Sequence, residues 1–210
     1  MNSPRLAPLY NTLYALAKQE EVHPGSESRI KAGHSFEDET ARIVYSKARE
    51  CGLKAFPPRQ TIDLPTISGN SYQFDASFSH SNEIYVVECK RRQIPALEHV
   101  YYFGSKVMDH RLARRKNSPN VRGLFLSSVK VGQSSMQFGF AFGLVIIDPE
   151  NPPLSELYTL CGKRPTLARA LLRLQERIDR ADPLNSEISP NPSTLLKSYE
   201  YLKRRVLSAP

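Results

Sequence analysis

An apolar run at residues 84–87 leads directly into Glu88, Cys89 and Lys90, with Asp75 a short distance upstream. The run predicts a hydrophobic strand. Burying two carboxylates and an ammonium at the end of such a strand costs several kcal/mol unless another charge compensates them. A divalent metal ion would compensate, and an aspartate with a Glu-x-Lys triplet around a metal is a common arrangement for cutting phosphodiesters.

The residues between Asp75 and Glu88 predict a hairpin. If residues 81–82 are the two central residues of a tight turn, His80 pairs with Glu83. Counting back from that pair places Asp75 directly opposite Glu88. Carboxylates at opposite positions repel, whereas Mg²⁺ held between them turns the repulsion into coordination. A three-residue turn would instead put Asp75 on the other face of the sheet.

Glu88 and Lys90 lie two residues apart and therefore share one face of the strand. Lys90 would then orient the attacking water or offset the charge that develops on the phosphate. The backbone carbonyl of Cys89 points into the same region and could supply a further metal ligand. Alternatively, Glu88 and Lys90 only frame the exposed end of a strand and Asp75 begins a loop. The apolar run and the upstream aspartate favour the catalytic interpretation.

The composition suits one domain with helical additions and an anionic partner. The chain has 210 residues, of which 40% are hydrophobic, enough for a packed core. Its 29 basic and 21 acidic residues give a net charge of +8, which favours nucleic acid or an anionic surface as partner. The three cysteines form no CxxC pattern, no signal-peptide run opens the sequence, and no apolar stretch is long enough to span a bilayer. We therefore expect a soluble cytoplasmic protein.

The pattern of the sequence predicts an α/β domain with a mixed central sheet flanked by helices. Ser35 is a good N-cap for one of these helices and Gly52 a good C′ residue. We divide the chain into an N-terminal helical extension (1–30), a central domain (31–150) and a helical C-terminal extension (151–210). The predicted helices cover residues 6–22, 36–51, 95–112, 133–142, 166–178 and 193–207, and the predicted strands cover residues 55–62, 72–78, 83–90, 121–126 and 144–148.

Several further stretches of the sequence occur together with the Asp75 and Glu88 pattern. They are residues 33–37 (GHSFE) with Gly52, residues 74–75, residues 86–92 (VVECKRR), residues 121–128 (VRGLFLSS), residues 138–141 (FGFA) and the strand ending at Asp148. On these residues the chain resembles the PD-(D/E)xK nuclease superfamily, and within it the Mrr-like restriction endonucleases. The resemblance covers a little over half of the chain, and its order of elements is the one that the periodicity predicts.

The resemblance implies a restriction-endonuclease-like αβββαβ core with N- and C-terminal helical extensions. It also implies a Mg²⁺-dependent endonuclease, with Mn²⁺ as a possible substitute, in which Asp75 and Glu88 bind the metal and Lys90 is the catalytic lysine. Glu37 matches the acidic position that many members add to the site. It could equally be a first-turn glutamate favoured by the helix dipole. Mrr-like enzymes usually carry a separate recognition domain, for which the residues before Gly33 are too few, so a separate targeting partner is an option.

Basic residues beside the predicted site are candidates for binding DNA. Arg91 and Arg92 leave the active strand directly and are the best candidates for phosphate contacts. Further candidates on the following helix and at its end are Lys106, Arg111, Arg114 and Arg115. Basic clusters are usually solvated faces, however, and a helix C-terminus favours cations without any ligand. The basic residues of the C-terminal helices could bind DNA or serve dimerisation.

Aromatic side chains of the long helix, Tyr101, Tyr102 and Phe103, could stack on bases, but their helical spacing favours packing into the core. We interpret the chain as a metal-dependent DNA endonuclease that hydrolyses phosphodiesters with activated water. Double-strand cleavage needs two copies of the site, so a homodimer is expected. The alternatives are a structure-specific nuclease, such as a Holliday-junction resolvase, and a non-catalytic DNA-binding or assembly module that keeps the nuclease fold.

Overall fold

The computed structural model of the chain describes residues 5–19, 26–90, 97–114, 118–181 and 191–208, with only the backbone for residues 26–35. Within these ranges a five-stranded sheet has its strands in chain order. The strands are β1 (Lys54–Phe56), β2 (Ala76–His80), β3 (Glu83–Lys90), β4 (Asn120–Ser127) and β5 (Val145–Ile147). The β1–β2 and β2–β3 pairs are antiparallel, whereas the β3–β4 and β4–β5 pairs are parallel, so the sheet is mixed.

Helices connect and cover these strands. Those in the described residues are α1 (Ala7–Ala17), α2 (Ser26–Glu50), α3 (Leu97–Leu112), α4 (Gln133–Ala141), α5 (Leu154–Leu160), α6 (Pro165–Asp179) and α7 (Pro192–Leu207). The order α2, β1, β2, β3, α3, β4 is the predicted αβββαβ core, so the expected fold class is confirmed. Helix α3 is the crossover that a parallel β3–β4 pair requires.

The sheet is buried on both faces, which makes β3 and β4 the centre of the molecule. Helices α1 and α2 cover one face, where Leu9, Leu13 and Val44 pack against Phe78 and Val87. The remaining helices cover the other face in a second apolar cluster, which extends from Val86 and Phe125 on the strands to Leu174 and Leu202 on the last two helices. The C-terminal helices therefore pack into the same apolar cluster as one face of the sheet.

Helix α2 ends as the sequence predicts but begins earlier. Gly52 adopts a positive φ of 71°, and the Leu53 N–H donates to the Ala48 carbonyl at 2.9 Å, which completes a Schellman motif. The predicted N-cap at Ser35 is wrong, because the helix already starts at Ser26. Helical spacing of the apolar residues located the buried part of this helix but not its polar first turns.

Other boundaries also differ from the prediction. Strand β1 ends at Phe56, before the two prolines that lack the N–H groups a ladder needs. Strand β2 begins at Ala76, so residues 72–75 precede it, and the Thr61–Gln73 pair is an isolated bridge outside the ladder. Helix α5 was not predicted, because a seven-residue helix offers too few turns for a periodic pattern. No helix in the described ranges is both long enough and apolar enough to cross a membrane.

Candidate active site

The β2–β3 hairpin has the tight turn on which the predicted site depends. His80 pairs with Glu83 across residues 81–82, and the ladder runs back to the Ala76–Val87 pair. One further step in the same register sets position 75 opposite position 88. Ser81 holds the turn with a positive φ of 54°, a conformation that residues other than glycine adopt at a cost.

Asp75 lies just beyond the last pair of that ladder and is held against β3. Its Oδ2 accepts a hydrogen bond of 2.7 Å from the backbone N–H of Cys89. Burial, and after it the charge of Glu88, raises the pKa of Asp75 to about 6, although the Cys89 N–H and Lys90 oppose the rise. The two predicted metal ligands are therefore close enough to repel each other, as the register argument requires.

Lys90 joins two of the predicted carboxylates. Its Nζ lies 3.1 Å from Glu88 Oε1 and 3.1 Å from Glu37 Oε1. Burial alone would lower the pKa of Lys90, but Glu88, Asp75 and Glu37 together raise it above its ordinary value. Lys90 is thus a charged ammonium at neutral pH, and Glu37 on α2 reaches the site through this lysine.

Lys106 on α3 is a second cation at Glu88. Its Nζ lies 3.8 Å from Glu88 Oε2, and its side chain is only 12% exposed. The ammonium also lies over two aromatic rings, 5.8 Å from the centroid of Phe74 and 4.8 Å from that of Tyr102. The sequence predicted Lys106 as a phosphate contact on the helix surface, whereas it lies inside the site.

The donor set suits a hard divalent cation. Asp75 and Glu88 present carboxylate oxygens, the ligands that Mg²⁺ prefers, and burial followed by the charge of Glu88 raises the pKa of Asp75. Among the described residues, no three His, Cys, Asp or Glu side chains converge as a ready-made metal site. Lys90 stands between Glu37 and the other two carboxylates, so Asp75 and Glu88 are the residues that fit a metal directly.

Cys89 faces away from this chemistry. Its side chain is fully buried with the apolar residues that face α1 and α2. Burial and the neighbouring Asp75 raise the pKa of its thiol well above the ordinary value. The thiol is therefore neither a nucleophile nor a metal ligand here, and the role predicted for this residue concerns only its backbone carbonyl.

The structure describes two of the other predicted DNA-binding residues, Arg111 and Arg114. Arg111 is committed to the fold, since its guanidinium donates to the carbonyls of Val121, Phe142 and Gly143. That position argues against a phosphate contact. Arg114 is exposed and donates to the Ser118 carbonyl at 3.2 Å. Three of the candidates lie outside the described residues: Arg91, Arg92 and Arg115.

The basic residues of the C-terminal helices do gather on one surface. Arg169, Arg173 and Arg177 of α6 line a groove together with Lys197 of α7. Apolar side chains, among them Leu174, form its floor. Both interpretations of this cluster, DNA binding and dimerisation, stay open.

The surroundings of two residues of α3, Lys106 and Tyr102, differ from those that the sequence predicts. Tyr102 was expected in the core, but it is 63% exposed, whereas its neighbour Phe103 is 1% exposed. Lys106 follows Tyr102 by four residues, which puts both on one face of α3. That spacing was a usable signal, but which face points toward Glu88 depends on how α3 packs on the sheet.

Comparisons with known proteins give similarity to solved structures only. No family model matches the chain, and no curated protein matches its sequence. The small subunit of the heterodimeric restriction endonuclease R.BspD6I is 12% identical, with a TM-score of 0.39, covering 97% of this chain and 99% of that one. The crystal structure of AF1548, a protein of unknown function, is 13% identical, with a TM-score of 0.38, covering 82% of this chain and 97% of that one.

Proposed function

We propose that the chain is a metal-dependent DNA endonuclease that hydrolyses phosphodiester bonds. The observation that carries this proposal is the cluster at the end of β3, where Asp75, Glu88 and Lys90 meet on the register that the hairpin imposes. Two carboxylates that repel each other are retained there beside a lysine. A cluster of this kind stabilises the fold poorly and suits a reaction that brings in positive charge.

Asp75 and Glu88 would hold Mg²⁺ or Mn²⁺, with the Cys89 carbonyl as a further ligand and Glu37 as an outer acidic group. When bound, the ion supplies a polarised phosphate and a more acidic water. The raised pKa of Asp75 gives this site a defined pH requirement, since the carboxyl must lose its proton before it binds a cation. Activity is therefore expected to rise between about pH 5 and 7.

Lys90 carries the second part of the proposed chemistry. Its ammonium is protonated and fixed between two carboxylates, so it is suited to donating hydrogen bonds to the attacking water or to a phosphate oxygen. It is not suited to accepting a proton. Lys106 compensates the charge of Glu88 and keeps that carboxylate oriented.

DNA would bind near the end of β3, because Arg91 and Arg92 directly follow this strand in the sequence. Their role as phosphate contacts stays a prediction, as does the homodimer that cutting both strands requires. A separate protein that supplies target choice is compatible with this proposal.

Cleavage of supercoiled plasmid DNA tests the proposal. Wild-type protein should nick or linearise the plasmid with Mg²⁺ and not with EDTA. Lys90→Ala should lose on the order of 100-fold in rate or more, because a positioned donor at the reacting phosphate is removed. Lys18→Ala, which removes an exposed lysine at the end of α1, is the matched control and should cleave normally. Equal rates in wild type and Lys90→Ala would contradict the proposal.

A non-catalytic DNA-binding module is the second candidate. The ion pairs of Lys90 and Lys106 favour it, because they balance much of the carboxylate charge without a metal. Thermal unfolding with and without Mg²⁺ separates the two functions. A nuclease site should be stabilised by Mg²⁺, and Glu88→Gln should abolish the effect. A binding module should show no stabilisation that depends on Glu88.

A further inference from the structure

Tyr102 occupies an unusual position for a large aromatic residue. It lies on α3 with 63% of its surface exposed, although Val100 and Phe103 beside it are buried in the core. Exposed aromatic residues are common singly and need no explanation by themselves. The position of this one relative to the catalytic carboxylates is what distinguishes it.

One side of the Tyr102 ring is used inside the protein. The ammonium of Lys106 lies 4.8 Å from the ring centroid, and the ring of Phe74 lies 5.8 Å from the same ammonium. The lysine is thus held between a buried ring and an exposed ring. A cation over one face leaves the opposite face of Tyr102 for another flat group.

The ring is also close to the chemistry. Lys106 Nζ is 3.8 Å from Glu88 Oε2, so two successive short contacts link the tyrosine ring to a carboxylate of the proposed metal pair. The ring centroid therefore lies no farther from Glu88 Oε2 than these two distances added together. A nucleotide whose phosphate sits at Asp75 and Glu88 could therefore bring its own base, or the adjacent one, to Tyr102.

We propose that Tyr102 is a stacking platform for the base of an unpaired nucleotide beside the scissile phosphate. This inference rests on the proposed nuclease function and names its substrate class: DNA with a single-stranded or splayed nucleotide at the cut. Within duplex DNA each base already stacks on its neighbours, so it offers no free face. An unpaired base offers one, and stacking on an aromatic side chain tolerates any base.

The neighbouring cation suits the same ligand. Lys106 polarises the ring from below, and a nucleotide bound above it would keep its negative phosphate near both Lys106 and Lys90. Phosphate and base are thus recognised by adjacent side chains of one helix and one strand. The sequence of the DNA is not read by these contacts.

Binding of short DNA separates this role from cleavage. Fluorescence anisotropy is measured in Ca²⁺ buffer on a single-stranded oligonucleotide and on a blunt duplex of the same sequence, with gels to check that both stay intact. Tyr102→Ala should weaken single-strand binding about tenfold and duplex binding less than about twofold. Tyr102→Phe keeps the ring and should bind like wild type. Tyr158→Ala, which removes an exposed tyrosine of α5, is the control and should change neither affinity.

A fluorescent base gives a direct signal for stacking. With 2-aminopurine in the single strand, wild type and Tyr102→Phe should quench its emission, and Tyr102→Ala should not. Equal weakening of single-strand and duplex binding by Tyr102→Ala, or no weakening, overturns the stacking role. So does a wild-type protein that binds no single strand.

The plasmid assay reports independently on the proposed nuclease function. Efficient Mg²⁺-dependent cleavage by wild type and Tyr102→Ala alike, with equal affinities for single strand and duplex, would leave the nuclease standing and remove the platform. Quenching that depends on Tyr102 without any Mg²⁺-dependent cleavage would remove the nuclease and keep a base-binding site.

Discussion

Charge at the end of β3 is balanced by individual side chains from four parts of the chain. Asp75, Glu88 and Glu37 supply carboxylates, and Lys90 and Lys106 supply ammonium groups. Ionising Asp75 in the folded protein is nevertheless unfavourable, since its pKa rises to about 6. A residue that is costly to ionise and yet placed at the site has a measurable signature in folding.

The pKa of Asp75 predicts how stability changes with pH. The folded protein keeps a proton on Asp75 between pH 3.8 and about 6, whereas the unfolded chain has released it. Stability from this group therefore falls as pH rises through that window and stays low above it. Asp75→Asn should be more stable than wild type at pH 8, by roughly 1–3 kcal/mol, and the difference should shrink toward pH 4.

Urea unfolding in EDTA at several pH values measures this difference. Asp63→Asn, at an exposed aspartate, serves as the control and should show no such pH dependence. A destabilised Asp75→Asn at pH 8 would mean that the carboxylate stabilises the fold, contrary to the balance argued above.

Single residues also show where sequence reasoning succeeds. Asp75, Glu88 and Lys90 could be brought together because a strand has a fixed period of two and a tight turn fixes the register. Tyr102 and Lys106 could not be placed near these residues from sequence, because packing decides which face of a helix points toward the end of a given strand. Arg111 looked like a basic surface residue, and only the tertiary structure shows the three carbonyls that use it.

Among the secondary-structure elements, α3 matters most to the site, because it carries Lys106. Gly123 on β4 sets how closely this helix lies on the sheet. A Cβ at this position would meet Leu144 Cδ2 at 2.5 Å and both Phe103 Cε1 and Val107 Cγ2 at 3.0 Å. The last two residues belong to α3, so the missing side chain is what permits the close approach.

Gly123→Ala should therefore destabilise the protein by about 1–3 kcal/mol through overpacking. Gly132→Ala provides the matched control, because a Cβ there meets nothing within 4 Å and should cost less than about 1 kcal/mol. Chemical denaturation of the two variants gives the comparison. A Gly123→Ala protein as stable as Gly132→Ala would show that α3 shifts without cost.

Strand and helix boundaries show why elements are predicted better than their ends. Strand β3 was predicted at its observed bounds because charged and turn residues flank an apolar run. Strands β1 and β2 are shorter than predicted, since Ile62 and Phe74 between them lie outside the ladder and yet are buried in the same apolar cluster as Phe103 of α3. Apolar residues predicted both β3 and the extra residues of β1 and β2. They indicate burial, and burial alone does not distinguish a loop from a strand.

In the molecule as a whole, Arg122 connects the sheet to the C-terminal helices. Its guanidinium lies 2.8 Å from Glu83 Oε1 and donates to the Asp179 carbonyl at 3.1 Å. It also lies 3.7 Å from the Asp179 carboxylate, at the end of α6. The start of β3, strand β4 and the last turn of α6 thus meet at one side chain, at the opposite end of β3 from the site.

Arg122→Ala should destabilise the whole protein by about 2–4 kcal/mol, because it leaves two partly buried carboxylates without their cation. Adding Glu83→Gln and Asp179→Asn should recover part of that loss. Arg169→Ala, at an exposed arginine of α6, should change stability by less than about 0.5 kcal/mol. Unfolding followed by circular dichroism measures all three. A mild effect of Arg122→Ala would mean that the C-terminal helices dock through their apolar contacts alone.

The burial of Cys89 makes its thiol a probe for local opening of the structure. Its thiol is sealed under α1 and α2, while its backbone neighbours carry the carboxylate and the lysine of the site. Cys161 is nearly as buried, which leaves Cys51 as the most accessible thiol of the three. An alkylating reagent would therefore mark Cys51 first and reach Cys89 only when the covering helices lift from the strand. The interval between the two modifications therefore measures how often the helices that cover Cys89 open.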